Sequence, residues 1–117
     1  MRALLLLVLL APSPLLAGED SSGRQVDFGL KVAQKGLWQE ARFRFERAVA
    51  LDPGNAAALN DLAVALEQMG EFDAARAAYE KALEIKPGDV YIQQNYDLFR
   101  EADDKRNRKN RKKRAQP

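Results

Sequence analysis

Residues 56–87 read AAALNDLAVALEQMGEFDAARAAYEKALEIKP. Two apolar-periodic segments meet here at Gly70. Leu59, Leu62, Ala63 and Leu66 recur at the i, i+3, i+4, i+7 spacing of a helix with one buried stripe. Beyond the glycine, Phe72, Ala75, Tyr79, Ala82 and Leu83 form a second stripe. The stretch therefore predicts a helical hairpin.

Thirty-four residues upstream the same order returns, with Phe28, Gly29 and Val32 followed by Gly36, Trp38, Ala41, Phe45, Ala48 and Pro53. Gly36 corresponds to Gly70, Trp38 to Phe72, Ala41 to Ala75, Phe45 to Tyr79, Ala48 to Ala82 and Pro53 to Pro87. Small residues are needed where two helices cross closely: Gly29 with Ala41, then Ala63 with Ala75. A bulkier side chain there costs about 1–3 kcal/mol through overpacking. The aromatics fill the space beside each crossing, and Ala48 and Ala82 admit the next helix. The two glycines suit turns that a Cβ disfavours. These twelve matched positions are read as structural.

A 34-residue period with this order of small and aromatic side chains resembles the tetratricopeptide repeat (TPR). The resemblance covers Gln25 to about Arg100 and implies an all-α solenoid. Two helical hairpins, repeats at about 22–55 and 56–89, are expected to be sealed by a capping helix over about 90–106, giving two and a half repeats. The expected helices are Gln25–Lys35, Trp38–Ala50, Ala56–Met69, Phe72–Ile85 and one beginning at Val90. Asn55 and Asp89 follow Pro-Gly turns and are suited to cap the third and fifth. Ile92, Tyr96 and Phe99 form the stripe by which the last helix covers the core, while Asp97 and Arg100 supply the polar outer face a solenoid end requires.

Composition narrows the chemistry. Cysteine, histidine and threonine are absent from the 117 residues, and the serines (Ser13, Ser21, Ser22) precede the repeats. No thiolate, no usual general base and no disulfide framework is on offer, so neither an enzyme nor a bound cofactor or metal is expected. The pair Asp27 and Asp61 lacks the closed cleft that acid–base work needs.

The net charge of +2 conceals two opposite halves. Residues 105–117 contain Lys105, Arg106, Arg108, Lys109, Arg111, Lys112, Lys113 and Arg114 with no acid, whereas residues 18–104 hold ten basic against seventeen acidic residues. The expectation is a mildly acidic body with a basic, disordered tail, frayed from Lys109 onward by mutual repulsion. Before that point Glu101 is set to face Lys105, and Asp104 to face Arg108, at i, i+4.

At the other end, Met1-Arg2, the apolar run Ala3–Ala11, Pro12-Ser13-Pro14 and a small residue at Ala17 have the layout of a secretory signal peptide over residues 1–17. Residues 18–24 read as a flexible linker. Export to a bacterial envelope, periplasmic or secreted, is expected; retention by an uncleaved leader is the alternative.

The resemblance implies a concave surface lined by the first helix of each repeat, where family members bind peptides. Here it would present Val26, Asp27 and Leu30, then Asn60, Asp61 and Val64, then Tyr91, Asn95 and Leu98. The family's clamp for a peptide carboxylate uses Lys, Arg and Asn at such positions. Val26, Leu30, Asp61, Tyr91 and Asn95 depart from it, and two carboxylates would repel an anionic terminus. Basic or apolar segments suit the groove better. Alternatively, Asp27, Asp61 and Asn95 hold interhelical polar contacts.

The basic tail is open to several readings: a solvated appendage, a patch for anionic lipid or lipopolysaccharide, or an arm that docks in the acidic groove of a second copy. Nucleic acid is disfavoured, since no aromatic interleaves with the cations and the leader directs the chain away from it. The sequence therefore predicts a binding protein, an adaptor for a protein or peptide partner. So few repeats bury a marginal core, and dimerisation or docking on a partner is expected to compensate.

Overall fold

A computed structural model describes residues 20–117. The signal-peptide assignment at 1–17, together with Gly18 and Glu19, lies outside them. Five helices follow in order: α1 (Ser22–Gln34), α2 (Trp38–Leu51), α3 (Ala56–Gln68), α4 (Phe72–Ile85) and α5 (Val90–Ala115). They form two antiparallel hairpins, α1–α2 and α3–α4, with α5 laid against α4 and α3. The all-α solenoid is as expected.

The turns are built as the glycines foretold. Gly36 and Gly70 have φ of 75° and 77°, a region costly for residues with a Cβ. Asn55 and Asp89 accept from the backbone N–H groups of Ala58 (3.1 Å) and Ile92 (3.0 Å).

Small residues occupy the crossings. Ala41, Ala48, Ala63, Ala75 and Ala82 are fully buried. At Gly29 a Cβ would stand 2.5 Å from the Phe45 ring, so only glycine lets α1 settle on α2. Tyr79 and Phe45 are the largest buried side chains. Tyr79 lies 5.4 Å from Phe99 and 5.9 Å from Tyr96, centroid to centroid, so α5 seals the second hairpin through an aromatic cluster.

Two expectations are corrected. The supposed linker is ordered from Asp20 onward: Ser21 caps α1 by accepting from the Arg24 N–H, and Asp20 is ion-paired with Arg47 of α2. Ser22 Oγ donates to the Ala48 carbonyl at 2.8 Å and accepts from Asn55 Nδ2 at 2.9 Å. These bonds tie the start of α1 to the end of α2 and the start of α3, which explains why the helix begins three residues before Gln25.

The second correction concerns the tail, which is helical to Ala115 rather than disordered from Lys105. Like charges at i, i+4 cost only a few tenths of a kcal/mol each. The helix is already nucleated, so each added residue needs only propagation. Lysine and arginine are good helix formers, and Lys112, Lys113 and Arg114 sit in the last turn, where the helix dipole favours cations.

The expected Glu101–Lys105 pair is present at 3.0 Å. The junction itself is held by Asp103, which sequence reasoning passed over. Asp103 is buried on α5 and accepts from Arg76 of α4 at 2.7 Å and from Arg106 at 2.8 Å. The Arg106 guanidinium lies over the Phe72 ring. The two cations hold the Asp103 carboxyl below its usual pKa, with the Arg76 hydrogen bond the largest cause.

Candidate functional groove

Four helices, drawn from both hairpins and from α5, face one depression. Leu30, Ala33 and Gln34 of α1, Trp38 and Phe45 of α2, Asp61 and Val64 of α3, and Tyr91 of α5 line a cavity of about 300 Å³. A second, of about 350 Å³, shares Leu30, Asp61 and Tyr91 with it and adds Val26, Asn60 and Lys86 among others. The shared residues make the two cavities neighbouring parts of one groove. Most of its wall is apolar, with few polar groups, which is the character of a binding cleft.

The helical period explains the convergence. Asp61 and Val64 are separated by three residues on α3, while Leu59, Ala63 and Leu66 turn the other way into the core. On α5, Ile92 and Phe99 are buried, so Tyr91, beside Ile92, stands at the groove with 65% of its surface exposed.

Asp61 is the chemically distinctive group. Burial pushes its carboxyl up to about 6, only partly offset by the hydrogen bond from Asn60. That bond is long, Asn60 Nδ2 donating to Asp61 Oδ1 at 3.4 Å. Asn60 is 1% exposed, and its own oxygen accepts from Asn95 Nδ2 of α5 at 3.2 Å. A chain of amides therefore runs from α5 through α3 to a carboxylate at the groove.

Of the predicted groove residues, Val26, Leu30, Asn60, Asp61, Val64 and Tyr91 come together. Asn95 serves as the interhelical contact to Asn60. Asp27 is exposed on α1 outside this lining, and Leu98 turns to a separate depression with Val90, Gln94 and Asp97. Sequence reasoning missed Gln34 and Lys86, and assigned Trp38 and Phe45 to the core alone. Their place in the lining follows from how the hairpins splay, which periodicity does not encode. Among the described residues no cluster of His, Cys, Asp or Glu is arranged to hold a metal ion, and no helix is long and apolar enough to cross a membrane.

A family model described as tetratricopeptide repeat matches residues 33–94. The fold is similar to the crystal structure of the Sgt2 TPR domain from Aspergillus fumigatus, with a TM-score of 0.70 at 20% identity over 74% of this chain and 59% of that one. It is also similar to the crystal structure of MamA protein, with a TM-score of 0.68 at 30% identity over 80% of this chain and 51% of that one. The chain thus spans between half and three-fifths of the length of these two structures. No curated protein matches it. The 34-residue period, the matching buried positions of the two hairpins and the family match agree: the chain belongs to the tetratricopeptide repeat family.

Proposed function

We propose that this protein is a non-catalytic adaptor whose groove holds an apolar or basic segment of a partner protein. One observation carries this reading. Leu30, Val64 and Tyr91, from three helices, converge around the partly buried Asp61 carboxylate. Apolar walls offer a dehydrated seat, and a carboxylate already deprived of water gains from a cation or N–H donor brought to it. The tetratricopeptide repeat family match over residues 33–94 supports a scaffold role.

Selection from a random peptide library on the full chain tests it, repeated on Tyr91→Ala and Asp61→Lys. Peptides that bind the wild type and lose about tenfold or more on both variants support the groove. Equal binding to all three overturns it.

The leader-like layout of residues 1–17 supports export to a bacterial envelope, with cleavage after Ala17. Mass spectrometry of the protein recovered from a periplasmic fraction checks this: an N-terminus at Gly18 supports export, and an intact Met1 in the cytosol overturns it. Small repeat number supports self-association, and light scattering over a dilution series decides it.

A second reading rests on the basic helix, which would act alone on anionic lipid or lipopolysaccharide. Its support is the density of cations over residues 105–114. Deleting residues 105–117 separates the two: loss of retention on phosphatidylglycerol vesicles with peptide binding intact assigns the vesicle contact to the tail.

A further inference from the structure

Tyr91 stands near the start of α5, and the helix runs on well past the groove. An α-helix turns once in about 3.6 residues, so a residue eighteen positions on, after five turns, stands in line with the first. Lys109 is that residue for Tyr91. Lys105 and Lys113 lie about 40° to either side of the same line, and Leu98 and Ala102 about 20°. The order along this side of α5 is Tyr91, Leu98, Ala102, Lys105, Lys109, Lys113. It is apolar at the groove and cationic beyond it. Because α5 is continuous from Val90 to Ala115, the line is a rigid edge rather than a loose tail. Lys109 and Lys113 lie in the stretch from Asn107 onward where every residue is exposed; Lys105, also exposed, is paired with Glu101 at 3.0 Å and would exchange that carboxylate for a ligand's. Arg111 and Arg114 point well away from the line and form no part of it.

Resting on the groove reading above, we infer that the partner is a protein segment of fixed charge order: an apolar anchor seated between Leu30, Val64 and Tyr91, followed along α5 by a run of acidic side chains over Lys105, Lys109 and Lys113. The charge order is set by complementarity. An acidic run placed at the anchor end would face Asp61, and a basic run placed at the distal end would face three lysines. Tyr91 and Lys109 are about 27 Å apart along the axis, eighteen residues at about 1.5 Å each. An extended peptide at about 3.3 Å per residue covers that in about eight residues. A duplex or a membrane surface has no counterpart for the apolar groove at one end of the line, which favours a polypeptide.

Sequencing the winners of a random sixteen-residue library selected on the full chain tests this. Peptides with an aromatic or aliphatic anchor and an acidic run centred about eight residues from it are expected. Affinities measured by fluorescence anisotropy should fall about tenfold or more on Lys105→Glu/Lys109→Glu/Lys113→Glu and less than about threefold on Arg111→Glu/Arg114→Glu, with helicity of each variant checked by circular dichroism. Replacing the acidic run of a winning peptide by glutamine should produce the same loss on the wild type and none on the triple variant.

Winners that bind through Tyr91 but show no acidic enrichment overturn this inference and leave the groove reading standing. Acidic winners indifferent to Tyr91→Ala overturn both. Equal losses on the two charge-reversal variants, or tighter binding to a short DNA duplex or to phosphatidylglycerol vesicles than to any winner, make the helix a general anion surface and overturn the inference. A triple variant that loses helicity is replaced by Lys105→Gln/Lys109→Gln/Lys113→Gln, for which the same tenfold loss is required.

Discussion

Asp103 of α5 and Arg76 of α4 are joined at 2.7 Å where the last helix leaves the body, and Arg106 completes the junction at 2.8 Å from the opposite carboxylate oxygen. The core behind it is aromatic, Phe99 and Tyr79; the helix ahead of it is solvated and cationic. One buried carboxylate therefore couples the packed part of α5 to the exposed part.

Asp103→Asn is expected to cost about 1–2 kcal/mol, because both arginines remain half-exposed and recover some hydration. The pH dependence follows from the lowered pKa of Asp103. Its contribution is fully present above the unfolded carboxyl value of about 3.9 and is lost as pH falls through the lower folded value. Urea unfolding followed by circular dichroism should show the gap between wild type and variant at neutral pH and its closure in strong acid. An equal gap at both extremes counts against the assignment.

Asp61 has the opposite sign. Its folded pKa is raised to about 6 by burial. The stability linked to it is therefore greatest below the unfolded carboxyl value and is lost as pH rises through 6. Asp61→Asn should accordingly stabilise the protein at pH 8, on the order of 1 kcal/mol after allowance for residual solvent, and the difference should vanish below about pH 4. Melting temperatures across this range are the measurement, and destabilisation at pH 8 is the contrary outcome.

The same substitution at two glycines of α1 should act in opposite directions. Gly29→Ala sets a Cβ 2.5 Å from the Phe45 ring, which is itself 1% exposed and hemmed in, so a net loss of about 1–2 kcal/mol is expected despite the gain in helix propensity. Gly23→Ala meets nothing within 4 Å and should gain up to about 0.5 kcal/mol. Parallel denaturant titrations decide it.

Asn60→Ala removes the oxygen that accepts from Asn95 and the amide that reaches Asp61. About 1–3 kcal/mol should be lost for the unpartnered group left on α5. Without its Asn60 donor the Asp61 carboxyl should titrate higher still, because that bond is the contribution lowering its pKa. A carboxyl-detected NMR titration reads the shift, and an unchanged midpoint would show that Asn60 acts on packing alone.

The hairpins were legible because periodicity is a local property. Gly36, Ala41, Phe45 and Ala48 repeat at Gly70, Ala75, Tyr79 and Ala82, and each packing role follows from side-chain size and helical phase. The groove was partly legible for the same reason: helical phase placed Val26, Leu30, Asp61, Val64 and Tyr91 on one side of their helices. Asn95 took the alternative role, an interhelical contact to the buried Asn60, and Leu98, about two turns along α5 from Tyr91, lines a separate depression.

By itself, the sequence determined the period, the turns, the caps and the absence of thiol and imidazole side chains. Those depend on residue identity and on neighbours within a few positions. Only the tertiary structure decided that residues 22–24 belong to α1 with Asp20 and Ser21 fastened ahead of it, that Asp103 is buried between two arginines, and that the basic segment continues as a helix in line with Tyr91. Each of these depends on a partner distant along the chain (Arg47, Arg76, Phe72) or on the continuity of a helix nucleated by packing elsewhere. Neither the partner nor the nucleus appears in the local pattern.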